Sequence, residues 1–167
     1  MKKKTPIKKS KKVIMVSGGF DPVHVGHLDM FKEAKELGDE LVVVVNNDNW
    51  KKAKRRYVFM PDQDRREIIE ALKFVDRVVL TEHEDPKTPK DMSVINELKK
   101  IRPHIFANGG DRNEEDAKDP ESSLFYEVEL CKNLGIEMVF GIGKKGKIRS
   151  SSDLVKEAAK KHKNKKK

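Results

Sequence analysis

The sequence predicts the α/β class: a doubly wound, five-stranded parallel sheet with helices on both faces. Three observations predict it. Strand-like and helix-like segments alternate along the chain. The strand-like segments are unbroken apolar runs, such as LVVVV at 41–45, which suit strands covered on both faces. The helix-like segments repeat apolar residues every three or four positions, and two of them stop at glycine. Alternation of buried strands with amphipathic helices calls for a parallel sheet between helix layers.

The elements follow in order. KVIMVS (12–17) reads as the first strand. VGHLDMFKEAKELG (25–38) is an amphipathic helix with Leu28, Phe31, Ala34 and Leu37 on one stripe and Gly38 as its C-cap. ELVVVVN (40–46) is the second strand. NDNWKKAKRRYVF (47–59) reads as a basic, turn-rich loop. MPDQDRREIIEALKFV (60–75) is a helix with Pro61 near its first turn, where the missing N–H is harmless. DRVVLTE (76–82) is the third strand, and KDMSVINELKKI (90–101) a helix. HIFANGGD (104–111) is a short strand entering a turn, followed by a polar loop over 112–120. ESSLFYEVELCKNLG (121–135) is a helix closed by glycine, and IEMVFGIG (136–143) the fifth strand. SSSDLVKEAAKK (150–161) opens on serines, which are good N-caps, and reads as the last helix.

At 167 residues the chain has room for one core. Its net charge of +9 is unevenly spread. Residues 1–12 hold seven lysines and 156–167 hold seven more with one glutamate, so 13–155 carry about −4. The expected organisation is a lysine-rich tail at 1–12, one folded domain at 13–158 and a second lysine-rich tail at 159–167. Such tails are expected to be solvated, with nucleic-acid contact the minor alternative. Cys131 is the single cysteine, which excludes an internal disulfide and a cysteine metal cluster. It falls in a helical pattern and is expected to be a buried thiol. No run approaches the ~18 apolar residues of a membrane span, and no apolar stretch follows the basic N-terminus, so the expected location is the cytoplasm.

In doubly wound sheets ligands bind beyond the carboxyl ends of the strands. The polar clusters at 17–27, 46–56, 108–112 and 143–152 all fall there. The first is the most informative. Ser17 ends a strand, Gly18 and Gly19 allow a tight turn, and a helix begins at 23–26. Free N–H groups at a helix start after glycines favour a phosphate. The stretch matches neither G-x-x-x-x-G-K-[ST] nor G-x-G-x-x-G. It carries His24 and His27 instead, three apart and therefore on one helix face, with Gly26 leaving room beside them. A zinc site needs three or four ligands, and His83, His104 and His162 lie in no matching motif. Two core histidines would leave the glycines unexplained. Donation to phosphate oxygens accounts for every feature.

GGFDPVHVGH (18–27) resembles the H-x-G-H motif of the cytidylyltransferase-like nucleotidyltransferases. That family includes glycerol-3-phosphate and choline- or ethanolamine-phosphate cytidylyltransferases, and heptose-1-phosphate and pantetheine-phosphate adenylyltransferases. The resemblance runs over about 13–158. DRREIIEALKFVDRVV resembles the helix and strand that follow the basic loop in the polyol and heptose members. FANGGDR resembles their glycine-glycine-aspartate turn, and SSSDL their closing serine-threonine segment. The fold implied is Rossmann-like. The activity implied is an enzyme that attacks the α-phosphorus of a nucleoside triphosphate in line and releases pyrophosphate, with Mg²⁺ bridging triphosphate oxygens and no metal held with assurance by protein side chains.

The same resemblance assigns roles. His24 and His27 brace the α-phosphate, and Arg65 matches a phosphate-contacting arginine. Ser17, Gly18, Gly19, Phe20, Asp21 and Gly26 form the first nucleotide loop. Gly109, Gly110 and Asp111 form the second, with Asp111 near the base or ribose. Arg149 and Ser150, Ser151 and Ser152 form the third. Lys51, Lys52 and Lys54 are candidates for the substrate phosphate, although the family spacing is not reproduced, and the 47–59 loop could equally be a solvated basic surface. Trp50 either packs the loop or covers a ligand. Lys145 or Arg149 supplies the charge before the serines. RNEEDAKDPESS (112–123) is a long polar insert that sets acceptor recognition apart.

The expected substrate pair is CTP or ATP with a small phosphorylated acceptor, a sugar- or polyol-phosphate. The alternatives are an adenylyltransferase acting on a cofactor precursor and a non-catalytic nucleotide-binding protein. A homodimer is compatible with either enzyme reading.

Overall fold

The computed structural model describes residues 10–110, 112–143 and 150–164. Five strands form one parallel sheet: β1 (Val13–Gly18), β2 (Glu40–Val45), β3 (Arg77–Leu80), β4 (Ile105–Gly109) and β5 (Glu137–Ile142). Their order across the sheet is β3-β2-β1-β4-β5. Chain direction across the sheet therefore reverses between β1 and β4, the doubly wound, Rossmann-like arrangement.

Six α-helices pack around the sheet or extend from it: α1 (Val25–Glu36), α2 (Asp48–Arg55), α3 (Asp62–Glu70), α4 (Ile95–Ile101), α5 (Ser123–Leu134) and α6 (Ser151–Asn164). Strand alternation sorts the core into two layers. Ile14, Val16, Val43 and Val45 pack with Phe31 and Ala34 of α1 and Ile69 of α3. Met15, Val44 and Phe106 turn the other way and pack with Leu98 of α4 and Cys131 of α5. Successive side chains of a strand point to opposite faces, so one run of valines supplies both layers. Burial holds the Cys131 thiol up at about 12, with the nearby Glu127 carboxylate adding to the shift, so it is an inert core group. Among the described residues, no helix is long and apolar enough to cross a membrane.

Two local expectations change. Residues 48–55 are a helix, not a loop. Asn47 caps it by accepting from the Trp50 backbone N–H at 3.0 Å, and Arg56 closes it in the left-handed region. Trp50 and Lys51 are its buried anchors. The basic run disguised a short helix whose apolar contact is a single indole. Gly38 is not a left-handed cap either. The C-cap is Leu37 in a right-handed conformation. A Cβ on Gly38 would run into the Ile14 side chain and lie 2.7 Å from the Lys12 carbonyl oxygen, so close approach to β1 is what demands glycine there.

Other boundaries shift by a few residues. Helix α4 begins at Ile95 because residues 88–93 form a capped turn, in which Asp91 accepts from the Thr88 backbone and Thr88 Oγ1 from the Asp91 backbone. The polar insert holds a 3₁₀ turn at Asp116–Lys118.

Candidate active site

The carboxyl ends of the parallel strands share one edge of the sheet, and residues 17–27, Gly109, Gly110 and the start of α6 lie along it. Strand β1 leads into Gly18 and Gly19. Phe20 follows with φ 49°, and its ring folds back beneath the turn against Phe31 and His27. Asp21 is buried. Its carboxylate accepts from the backbone N–H groups of Phe59 and Met60 at 3.0 and 2.7 Å and pairs with Lys51 Nζ at 3.2 Å. Asp21 is thus an anchor that ties the first loop to the segment after α2.

His24 is the N-cap of α1 and His27 its third residue, and the two make a reciprocal capping box. His27 Nδ1 accepts from the His24 backbone N–H at 3.3 Å. Their rings stack with centroids 3.8 Å apart at 22°. Burial, and then the neighbouring His24, push the His27 pKa down to about 3. His27 is therefore neutral near pH 7. With Nδ1 accepting, its proton sits on Nε2, the nitrogen free to donate to a ligand. Gly26 leaves room for this arrangement: a Cβ there would lie 3.1 Å from His24 Cε1 and 3.2 Å from its Nδ1, so the ring would have to shift slightly.

Arg65, expected to contact a phosphate, points inward in this structure. Its side chain is fully buried. Nε donates to the Met60 carbonyl at 2.9 Å, one terminal nitrogen donates to the carbonyls of Gly19 and Asn46 at 2.5 and 2.7 Å, and the other pairs with Asp48 at 2.8 Å. These bonds use four of the five guanidinium N–H donors. In this arrangement Arg65 contacts no open cleft, and it acts as a clamp that joins the glycine turn, the end of β2 and the start of α2. The physical reason is that three backbone carbonyls converge where a loop, a strand end and a helix start meet, and only arginine offers enough donors in one plane.

The three lysine candidates diverge. Lys51 is buried against Asp21, and burial lowers its pKa while Asp21 opposes the shift. Lys52 and Lys54 are exposed. The Lys54 ammonium lies 4.7 Å from the centre of the Trp50 ring. Desolvation around that ammonium, then repulsion from Arg112 and Arg55, lower its pKa to about 8. Trp50 itself is a packing residue: Nε1 donates to the Met92 carbonyl at 2.8 Å, and one ring edge reaches the Gly19 turn.

Gly109 packs against α1 and β5, and the start of α6 is bonded to the first loop. A Cβ on Gly109 would lie 2.7 Å from Met30 Sδ and 2.9 Å from the Ile142 carbonyl oxygen, so β4, β5 and α1 meet there without room for a side chain. Gly110 has φ 69° and open space beside it. Ser150 Oγ caps α6 by accepting from the Asp153 backbone N–H at 3.1 Å. Ser151 Oγ donates to the Pro22 carbonyl at 2.9 Å, which binds the start of α6 to the first loop. Ser152 lies in the first turn of α6, half-buried. Asp111, Lys145 and Arg149 lie outside the described residues, as do residues 1–9 and 165–167 of the expected tails.

One feature the sequence reading passed over is the pair Arg112–Glu127. Glu127 is fully buried on α5; its carboxylate accepts from the Val94 backbone at 3.0 Å and from Arg112 at 2.6 Å. Arg112 also reaches Ser123 Oγ at 3.2 Å. A signal was available. Leu124, Glu127 and Cys131 share one helical stripe, and a carboxylate on a buried stripe requires a cationic partner.

The neutral His27 ring, the glycine turn and the hydroxyl-bearing helix start offer donors and backbone approach to phosphate oxygens. The cytidylyltransferase-like family model matches residues 15–158. A protein of Pyrococcus abyssi named FAD synthase is 42% identical over 101 residues, covering 60% of this chain and 64% of that protein, just under two thirds of its length. A Pyrococcus horikoshii protein of the same name is 37% identical over 122 residues, 71% of this chain and 78% of that one. Among solved structures, a lipopolysaccharide core biosynthesis protein from Thermoplasma volcanium superposes with a TM-score of 0.61 at 28% identity, over 79% of this chain and 95% of that chain.

Proposed function

The chain belongs to the cytidylyltransferase-like family and is a nucleotidyltransferase, and on that premise we propose that it adenylylates a flavin phosphate, joining FMN to the AMP unit of ATP to give FAD. The observation that carries the acceptor is the identity of 37% over 71% of this chain to a protein named FAD synthase. It favours the cofactor-precursor reading over a free sugar- or polyol-phosphate. The two readings share chemistry, because FMN carries its phosphate on a ribityl chain.

The reaction needs no covalent enzyme intermediate. An FMN phosphate oxygen attacks the α-phosphorus of ATP. The new bond forms opposite the α–β bridge, which breaks with its electron pair leaving on pyrophosphate. Catalysis is positioning and charge stabilisation. His27 donates from Nε2 to an α-phosphate oxygen as negative charge builds, and the stacked His24 fixes that ring. The glycine turn lets backbone approach the phosphates, and the α6 hydroxyls lie at the same edge. Among the described residues no group of three or more metal-ligating side chains occurs. Imidazole and hydroxyl donors suit phosphate oxygens more than a hard dication. Mg²⁺ would enter with ATP, where it would offset the charge of the triphosphate.

The test is direct. Purified protein is mixed with Mg²⁺, ATP and FMN, and FAD is separated by chromatography while pyrophosphate is assayed. Stoichiometric FAD and pyrophosphate are expected. Parallel reactions use CTP in place of ATP, and sugar- or polyol-phosphates in place of FMN. Turnover of one of those acceptors with none of FMN would sink the flavin reading and leave the family chemistry intact.

A further inference from the structure

A cavity of about 570 Å³ opens between α2, the 86–92 segment and the polar insert. Its volume falls within the range of small-molecule sites. Ala53, Pro89 and Met92 give it an apolar wall, Trp50 forms its inner side, and Lys54 and Arg112 bring positive charge. The insert closes it with Asp116, Asp119 and Glu121. We propose that this cavity is the acceptor pocket, with the flavin ring lodged between α2 and the 86–92 segment.

The cavity adjoins the chemistry through one side chain. The Trp50 indole has Nε1 bonded to the Met92 carbonyl on the cavity side, and its Cζ3 lies 3.6 Å from where a Cβ of Gly19 would sit. One indole therefore separates the cavity from the glycine turn. In the proposed pose the acceptor's phosphate end faces that turn past the indole edge.

The lining suits a flavin in three respects. The apolar wall accepts a flat ring. The carboxylates of the insert accept hydrogen bonds from ribityl hydroxyls. Lys54, next to the Trp50 ring, and Arg112, held rigid by Glu127 and Ser123, attract a phosphate dianion. The insert that set this sequence apart from the sugar-phosphate members thereby gains a purpose: it builds a wall that a larger, ring-bearing acceptor needs.

The assignment rests on the flavin reading, and its test separates the two. Trp50 is the sole tryptophan, so it is a built-in probe of the cavity. Flavins absorb where tryptophan emits, and a bound flavin quenches that emission. Ala53 is exposed on α2, so Ala53→Phe fills the cavity without touching the sheet. FMN is expected to quench Trp50 saturably, and riboflavin, which lacks the phosphate and cannot be adenylylated, is expected to do so more weakly.

In Ala53→Phe, both quenching midpoints and the KM for FMN should rise roughly tenfold or more, with the KM for ATP within roughly twofold of the parent. Circular dichroism melting confirms the fold of the variant. Unchanged flavin midpoints, in a protein that makes FAD, would overturn the pocket alone. A rise in the KM for ATP in place of that for FMN would assign the cavity to the nucleotide and overturn it equally. A parent protein that neither binds nor converts FMN overturns both proposals.

Discussion

In the proposed mechanism His27 is the residue on which most of the chemistry rests. Its neutral ring donates from Nε2 because Nδ1 is occupied by the His24 backbone N–H. His27→Ala should lower kcat by roughly 10²–10³, as loss of a transition-state donor does, and change triphosphate affinity far less. Steady-state kinetics and calorimetric ATP titration check this; equal small effects on both would remove the role. The same residue couples stability to pH. Its folded pKa of about 3 lies below the ordinary value of 6.5, so the unfolded state binds a proton that the folded state refuses. The contribution of neutral His27 is complete above pH 6.5 and declines as pH falls toward 3. Urea midpoints of the parent and His27→Ala, compared between pH 7.5 and 5, should converge as pH falls. Bound triphosphate places negative charge beside the ring and should oppose the decline. Gly26→Ala separates the two roles of the helix start. Alanine gains about 0.5–1 kcal/mol of helix propensity. The new Cβ must also displace the His24 ring, so the melting temperature should change little while turnover falls. Full activity in this variant would show that the ring position is not critical.

At the scale of elements, the basic segment after β2 is the instructive one. Nothing in its lysines and arginines announces that Arg65, from the following helix, would reach back and hold its start. The clamp makes a prediction that a phosphate-contacting arginine does not. Arg65→Met removes every donor at a site with full burial and strands three carbonyls and Asp48. It should cost about 3–5 kcal/mol, read as a lower urea midpoint without ligand. Loss of ATP binding with unchanged stability would restore the phosphate role. The helices themselves were legible where the apolar stripe was long, as in α1 and α5. Helix α2 was not, because eight residues with a single buried indole and one buried lysine give no periodicity. Its caps, Asn47 and Arg56, become evidence only when their backbone conformations are known.

At the scale of the whole molecule, the site exists because three loops from distant parts of the chain share one sheet edge. Gly109 stands where β4, β5 and α1 converge. Gly109→Ala would press a methyl group against Met30 and the Ile142 carbonyl and should cost about 1–3 kcal/mol, as overpacking does. It should impair turnover as well, since Met30 lies one turn behind His27. A melting curve and a rate measurement together check it, and a silent variant would mean that the β4–β5 edge yields freely. The sequence by itself determined the fold class, the strand-helix order and the histidine–glycine constellation. Each of these is written in local patterns: apolar runs, helical stripes, and residues within one turn of each other. Only the tertiary structure decided that Arg65 is a clamp, that Asp21 is an anchor, and that the polar insert walls a cavity with α2. Those roles depend on which groups meet across 38 or more positions of chain in the case of Asp21 and Phe59. Contacts at that separation are set by how the sheet is wound, and no spacing within the sequence records them.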